Sequence, residues 1–289
     1  MRCEATNKTR GRRRCRLKAE PGSRFCWMHS GRPLRSAGSS GVLAVEPSTI
    51  TGELVRVIVG TLKSKSQNRK TGDVVQVTFA PHATEPRKAG RSGADQAVCG
   101  DCPHRPSHWG TCYVNIGQSV QSSWLYSSTE PEPDVIQRVR RRNVPVRLGA
   151  WGDPASVAFE VVAPLLDASE GPRGRRRTFG YTHLWRTCDP RWRGVVMASC
   201  DSPEDRADAK ARGWRTFRVR PVGAPLEPGE IECPATSRGG RKTTCAKCLL
   251  CSGTGGRGLA DVSAEVHGAS YRRATFRKNH SGQKMSETA

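Results

Sequence analysis

The chain has 289 residues, room for a large domain and a small one, yet only 35% are hydrophobic and 6% aromatic, which excludes a chain that is core throughout. The 48 Lys and Arg against 26 Asp and Glu leave a formal charge of +22, which suits nucleic acid or another polyanion; its plainer reading is solubility. With no run approaching the roughly 18 to 20 apolar residues of a membrane span and no apolar signal core, the chain is expected to be soluble and cytoplasmic, where its 12 cysteines serve as ligands rather than disulfides.

Residues 1–32 hold Cys3, Cys15, Cys26 and His29 in a short, basic segment. Three thiolates and one imidazole suit tetrahedral zinc, and metal binding would supply the folding energy that so charged a segment lacks. The alternative is a basic arm with incidental cysteines. The ending "CWMHSG" resembles the HGGxSTG-type zinc knuckle found at the ends of many phage and bacterial proteins. Residues 33–50, rich in Ser, Gly and Pro, are expected to be a flexible linker before a domain over 51–268.

In that domain, "LVRVIVGT" and "GDVVQVTFA" predict a hairpin. Next comes "VCGDCPHRPSHWGTCYVN", where Cys99, Cys102 and Cys112, with His104 or His108 as a fourth donor, suit zinc. Three thiolates with one open position suit a [4Fe–4S] cluster equally. The stretches "IGQSVQSSWLYSS" and "DVIQRVRRRN" have helical spacing.

From Val144 onward strands and helices alternate: "VPVRLGAWG", "DPASVAFEVVAPLLDAS", "TFGYTHLW", "GVVMASC", "SPEDRADAKARGW" and "RTFRVRP". Such alternation implies βαβ units, hence an α/β fold built on an open parallel sheet or partial barrel with cysteine-rich metal-binding loops. Asp153 before Pro154 and Ser202 before Pro203 are helix caps, and Gly213 ends the second helix. The carboxyl ends of parallel strands form the functional rim. They carry Asp153, His183, Trp185, Cys200 and Asp201, with Asp153, His183 and Asp201 as candidate catalytic groups and Trp185 and Cys200 as candidate substrate contacts. For Asp153 the capping role is also sufficient.

The last cysteine group joins Cys233 to Cys245, Cys248 and Cys251 in "CAKCLLC". Consecutive Cys-x2-Cys-x2-Cys with one remote cysteine followed by Pro is a ferredoxin-type arrangement and favours iron–sulfur over zinc. The basic tail, 269–289, lacks an apolar period and is expected to be disordered.

In order, "CGDCP", "VRLGAWGDP", "GYTHLW", "MASCDSPEDRADAKARGWRTFRVRP" and "TTCAKCLLC" resemble a cysteine-rich family encoded by bacteriophages, which brings no established activity and would place the chain in a bacterial host cell. More distantly the chain resembles phage proteins of the radical SAM type. That likeness implies a cluster on Cys99, Cys102 and Cys112 at a barrel mouth, an auxiliary cluster on the Cys233 group, and S-adenosylmethionine as a cofactor; the spacings of two and nine depart from the usual Cys-x3-Cys-x2-Cys. Two functions follow: a metalloenzyme acting on or near nucleic acid, or a non-catalytic, zinc-stapled nucleic-acid-binding protein whose basic arm, with 11 Lys and Arg in residues 1–42, binds the polyanion.

Overall fold

The computed structural model describes residues 39–286, apart from 67, 172, 173, 241, 257, 259 and 269, together with two short N-terminal strands. The chain divides into a unit over Met1–Ala37 and a unit over Gly38–Ala289. In the first, β1 (Thr6–Asn7) pairs antiparallel with β2 (Arg13–Arg14). The zinc-knuckle ligands expected there, Cys3, Cys15, Cys26 and His29, lie outside the described residues.

The larger unit is a mixed α/β fold with two five-stranded sheets. In the first sheet β3 (Gly41–Pro47), β4 (Leu54–Gly60) and β5 (Val75–Pro81) run antiparallel, and β6 (Val146–Arg147) and β7 (Thr178–Phe179) continue it in parallel. The hairpin read from the sequence is β4 and β5, joined in register from Val55 opposite Pro81 to Gly60 opposite Gln76. Val55, Val57, Ile58 and Val59 are all fully buried, so β4 is covered on both faces, which is why its apolar run shows no alternation.

The second sheet is wholly parallel, in the order β11 (Glu230–Glu232), β12 (Asp261–Glu265), β10 (Thr216–Arg220), β9 (Met197–Cys200), β8 (Tyr181–Thr182). Gly180 alone separates β7 from β8 and hands the chain from one sheet to the other. Its carbonyl accepts from Met197 N while Leu148 N donates to Phe179 O, and a Cβ at Gly180 would stand 2.7 Å from Leu148 O. Only glycine fits between the two sheets there.

Helices carry the crossovers. α1 (Pro86–Ser92) and α2 (Gln96–Cys99) follow β5, then α3 (Gln121–Tyr126) and α4 (Val135–Arg142) lead to β6. Between β6 and β7 the chain makes a 3-10 turn at Pro154–Ser156 and α5 (Phe159–Ala168); α6 (Pro203–Ala211) joins β9 to β10. The caps expected from sequence form: Asp153 accepts from Ala155 N at 2.9 Å, Ser202 accepts from Asp205 N at 3.1 Å, and Gly213 follows α6 with φ 78°. α7 (Cys245–Cys248) and α8 (Ser270–Ser286) complete the chain.

Two expectations are corrected. The linker expected over 33–50 contains β3, an edge strand of the first sheet, because Val42 buries fully against β4 and the turn at Ser48 is tied to Ala97 O. Within the tail expected to be disordered over 269–289, Ser270–Ser286 form α8, because Phe276, 1% exposed, packs on the rings of His104, Trp109 and His280. A third difference is one of extent: of the strand expected in "VPVRLGAWG" only Val146–Arg147 is regular, and the rest follows β5 irregularly through Ala150 N to Val77 O and Trp151 O to Phe79 N. Among the described residues no helix is long and apolar enough to cross a membrane.

Candidate functional site

A cavity of about 750 Å³ opens at the carboxyl ends of the parallel strands. Its floor is made by side chains of successive strands, among them Phe179, Tyr181, Ser199, Phe217 and Ala264, and one wall by the first cysteine loop.

That loop is local in origin. Cys99 closes α2, and Cys102 N bonds back to Cys99 O at 3.1 Å. The nine residues before Cys112 fold into a compact bracket around Arg105, 5% exposed, whose guanidinium pairs with Asp95 at 2.8 Å and donates to Gly93 O and Gly100 O. Cys112 N then donates to His104 O at 2.8 Å, which brings Cys112 back beside the first two cysteines. Spacings of two and nine therefore deliver three thiols to one cavity wall.

Burial pushes the Cys99 thiol well above its ordinary value, and Cys102 and Cys112 push it further. Cys112 is pushed up to about 11, again chiefly by burial. Thiols so placed resist losing their protons, a cost that a cation bound among them would offset. The histidine that meets them is His183, with Nε2 at 3.8 Å from Cys102 Sγ, whereas His104 turns its ring elsewhere.

His104 Nδ1 is bonded to Thr111 Oγ1 at 2.8 Å and Nε2 to Asp201 Oδ1 at 2.8 Å; the other Asp201 oxygen lies 3.5 Å from His183 Nε2. Burial works against charge here, yet His183 and His104 hold the Asp201 carboxyl well below its usual range, and Cys102 and Asp201 hold His183 well above its own. These two imidazoles and one carboxylate have donor atoms all within 4.8 Å, the one such group of potential ligands among the described residues. Asp201 thus links the two imidazoles, and it meets His183 at the same Nε2 that faces Cys102. Among the described residues no cysteine group has three sulfurs within that span.

Asp153 lines the cavity and binds backbone on both sides, accepting from Ala155 N through Oδ1 and from His183 N at 2.6 Å through Oδ2. Burial raises its carboxyl, against the lowering effect of His183 and these amides. Asp201 does not line the cavity and reaches it only through His183 and His104. Trp185 and Cys200, expected as substrate contacts, face the core instead: Trp185 is 3% exposed with its indole N–H on Ser199 O, and Cys200 is fully buried.

The second cysteine group gathers behind the cavity. Cys233 follows β11, Cys245 and Cys248 bound α7, and Cys251 accepts from the Tyr181 hydroxyl at 3.3 Å. Burial pushes Cys251 up to about 12, with Cys233, Cys245 and Cys248 adding to the rise. Cys245 also touches the cavity, so the two groups flank one chamber.

Sequence reasoning did not single out Tyr113, Arg147 and Lys70. Tyr113 directly follows Cys112 and stands 5.4 Å from the His267 ring; Arg147, partly buried on β6, makes no ion pair among the described residues. The available signal was the alternation of β6, which sends Val146 to the core and Arg147 to the cavity. Burial and the nearby Lys70, whose Nζ is 3.2 Å away, lower His267 to about 4 and keep it neutral. Comparison of the chain with protein-family models, curated proteins and solved structures finds no match.

Proposed function

We propose that the chain is a phage-type metalloenzyme with a partial barrel, in which Cys99, Cys102 and Cys112 hold an iron–sulfur cluster at the mouth of the cavity and the Cys233 group holds a second centre. The observation that carries this reading is the convergence of three thiols and His183 on one substrate-sized chamber at the carboxyl ends of parallel strands.

A cluster with one iron uncovered by thiolate supplies an electron and an open coordination position. The chain's own groups then do the positioning. Arg147 presents a guanidinium to an anionic group of the ligand, Tyr113 offers a ring face, and His183, held by Asp153 at its backbone, keeps its Nε2 between Asp201 and Cys102 at the cavity wall. Its resemblance to radical SAM proteins makes S-adenosylmethionine the ligand to try first.

The test is anaerobic purification with iron, sulfide and zinc analysis, followed by incubation with a reductant and S-adenosylmethionine. Cys102→Ser is expected to remove one cluster's iron and sulfide while the second centre stays, and to abolish release of 5′-deoxyadenosine. Zinc alone in the wild-type protein, with no sulfide, would overturn the iron–sulfur reading and favour the zinc-stapled binding protein.

A further inference from the structure

Beside the cavity runs a second depression of about 920 Å³. Its walls come from the loop before β5, the segment leading into α7, and α8, which contribute Arg69, Lys70, Lys242, Lys247 and Arg273. The two carboxylates on the same walls are already occupied: Glu265 pairs with Arg220 at 3.1 Å and Arg238 at 3.0 Å, and Glu232 pairs with Arg220. The five other cations make no ion pair among the described residues. Like charges arrayed within a Debye length repel one another, so the groove carries an uncompensated positive field.

Groove and cavity are continuous, sharing Asn68, Lys70, Glu265, Val266 and His267. At their junction stand the paired rings of Tyr113, 44% exposed, and His267, with the unpaired Arg147 further inside. Cations drawn from separate segments, beside an aromatic pair and a chamber, match the pattern that binds a single strand: phosphates on the cations, a base on the rings. A duplex could send a base into the chamber only by flipping it out of the stack, an unpairing cost that a single strand does not pay.

We propose that this groove docks the sugar–phosphate backbone of a single nucleic-acid strand and directs one of its nucleotides into the cavity. The inference deepens the metalloenzyme reading by naming its substrate class, and it rests on that reading only for the purpose of the binding.

The experiment uses the full, metal-loaded chain and a fluorescein-labelled oligonucleotide, with anisotropy read over a series of salt concentrations. Single strands are expected to bind more tightly than the matching duplex. Each phosphate that the groove no longer neutralises lowers the salt slope by about 0.7 for a single strand. Lys242→Glu with Lys247→Glu should therefore weaken binding at least about tenfold and flatten the slope by about 1.4. Arg69→Glu with Arg273→Glu should do the same, with iron, sulfide and zinc measured on each variant, while Lys88→Glu on α1, outside the groove, should change little.

A strand carrying 4-thiouridine is expected to photocrosslink to the peptide containing Tyr113 or His267. Crosslinks confined to the N-terminal arm, unchanged affinity in both groove variants, equal binding of duplex, or full competition by one equivalent of a mononucleotide would each overturn the proposal. Repeating the titration with Cys102→Ser separates the two ideas: strand binding that survives cluster loss sustains the groove, whatever becomes of the chemistry.

Discussion

Replacing Asp153 distinguishes a positioning carboxylate from a merely acidic one. Its two oxygens each accept a backbone N–H, from Ala155 at 2.9 Å and His183 at 2.6 Å, and its own N–H donates to Val98 O at 2.6 Å beside Cys99. One residue therefore ties the cysteine loop, the turn after β6 and the end of β8. Losing the cap in Asp153→Ala costs about 1 kcal/mol, and losing a charge-assisted bond to the buried His183 amide costs about 1.5 to 3 kcal/mol. The total, about 2.5 to 4 kcal/mol, corresponds to a fall in Tm of about 5 to 16 °C for a unit of this size. Asp153→Asn keeps the cap through its carbonyl oxygen but turns an NH₂ toward the His183 N–H, so it should lose about 2 kcal/mol, between wild type and alanine. Thermal unfolding followed by circular dichroism reads both. If Asp153→Ala unfolds within about 0.5 kcal/mol of wild type, the positioning role drawn from these bonds is wrong.

Three further predictions concern the second sheet and α8. Glu230 is buried and receives Arg218 through two bonds, at 2.8 and 2.6 Å, so Glu230→Ala leaves a buried guanidinium unpaired and should cost about 3 to 5 kcal/mol, whereas the paired change Glu230→Leu with Arg218→Met should recover most of it in denaturant unfolding. Burial works against the Glu265 charge, but the Gly223 N–H, Arg220 and Arg238 lower its carboxyl below its usual range, so its contribution is present above the ordinary glutamate pKa and is lost as pH falls through the depressed value. Glu265→Gln should therefore flatten the acid limb of a stability–pH curve below about pH 4.3, and an unaltered limb would contradict it. Phe276→Ala removes the ring that anchors α8 to His104 and Trp109, so α8 should become cleavable by trypsin while the main thermal transition moves little, the loss being local.

Local chemistry made several features readable from the residues alone. The hairpin of β4 and β5 announces itself by its β-branched runs, and α6 by Ser202, Pro203 and Gly213, because caps and turns act within a few residues. The same short reach explains what local chemistry hid. β3 lay concealed in a Ser- and Gly-rich stretch because its stability comes from pairing with β4, not from propensity. Arg218 and Arg220 on β10 look like surface charges in "RVRP" until β11 and β12 bring Glu230, Glu232 and Glu265 against them.

The sequence by itself determined which residues carry soft donors and which helices are capped, since both are set by spacing along the chain. Only the tertiary structure decided their partners. His183 meets Cys102 across 81 positions and His104 meets Asp201 across 97, distances over which no periodicity speaks. It also decided that Trp185 and Cys200 face the core and Arg147 faces the cavity, because the facing of a short strand is fixed by the neighbours it pairs with.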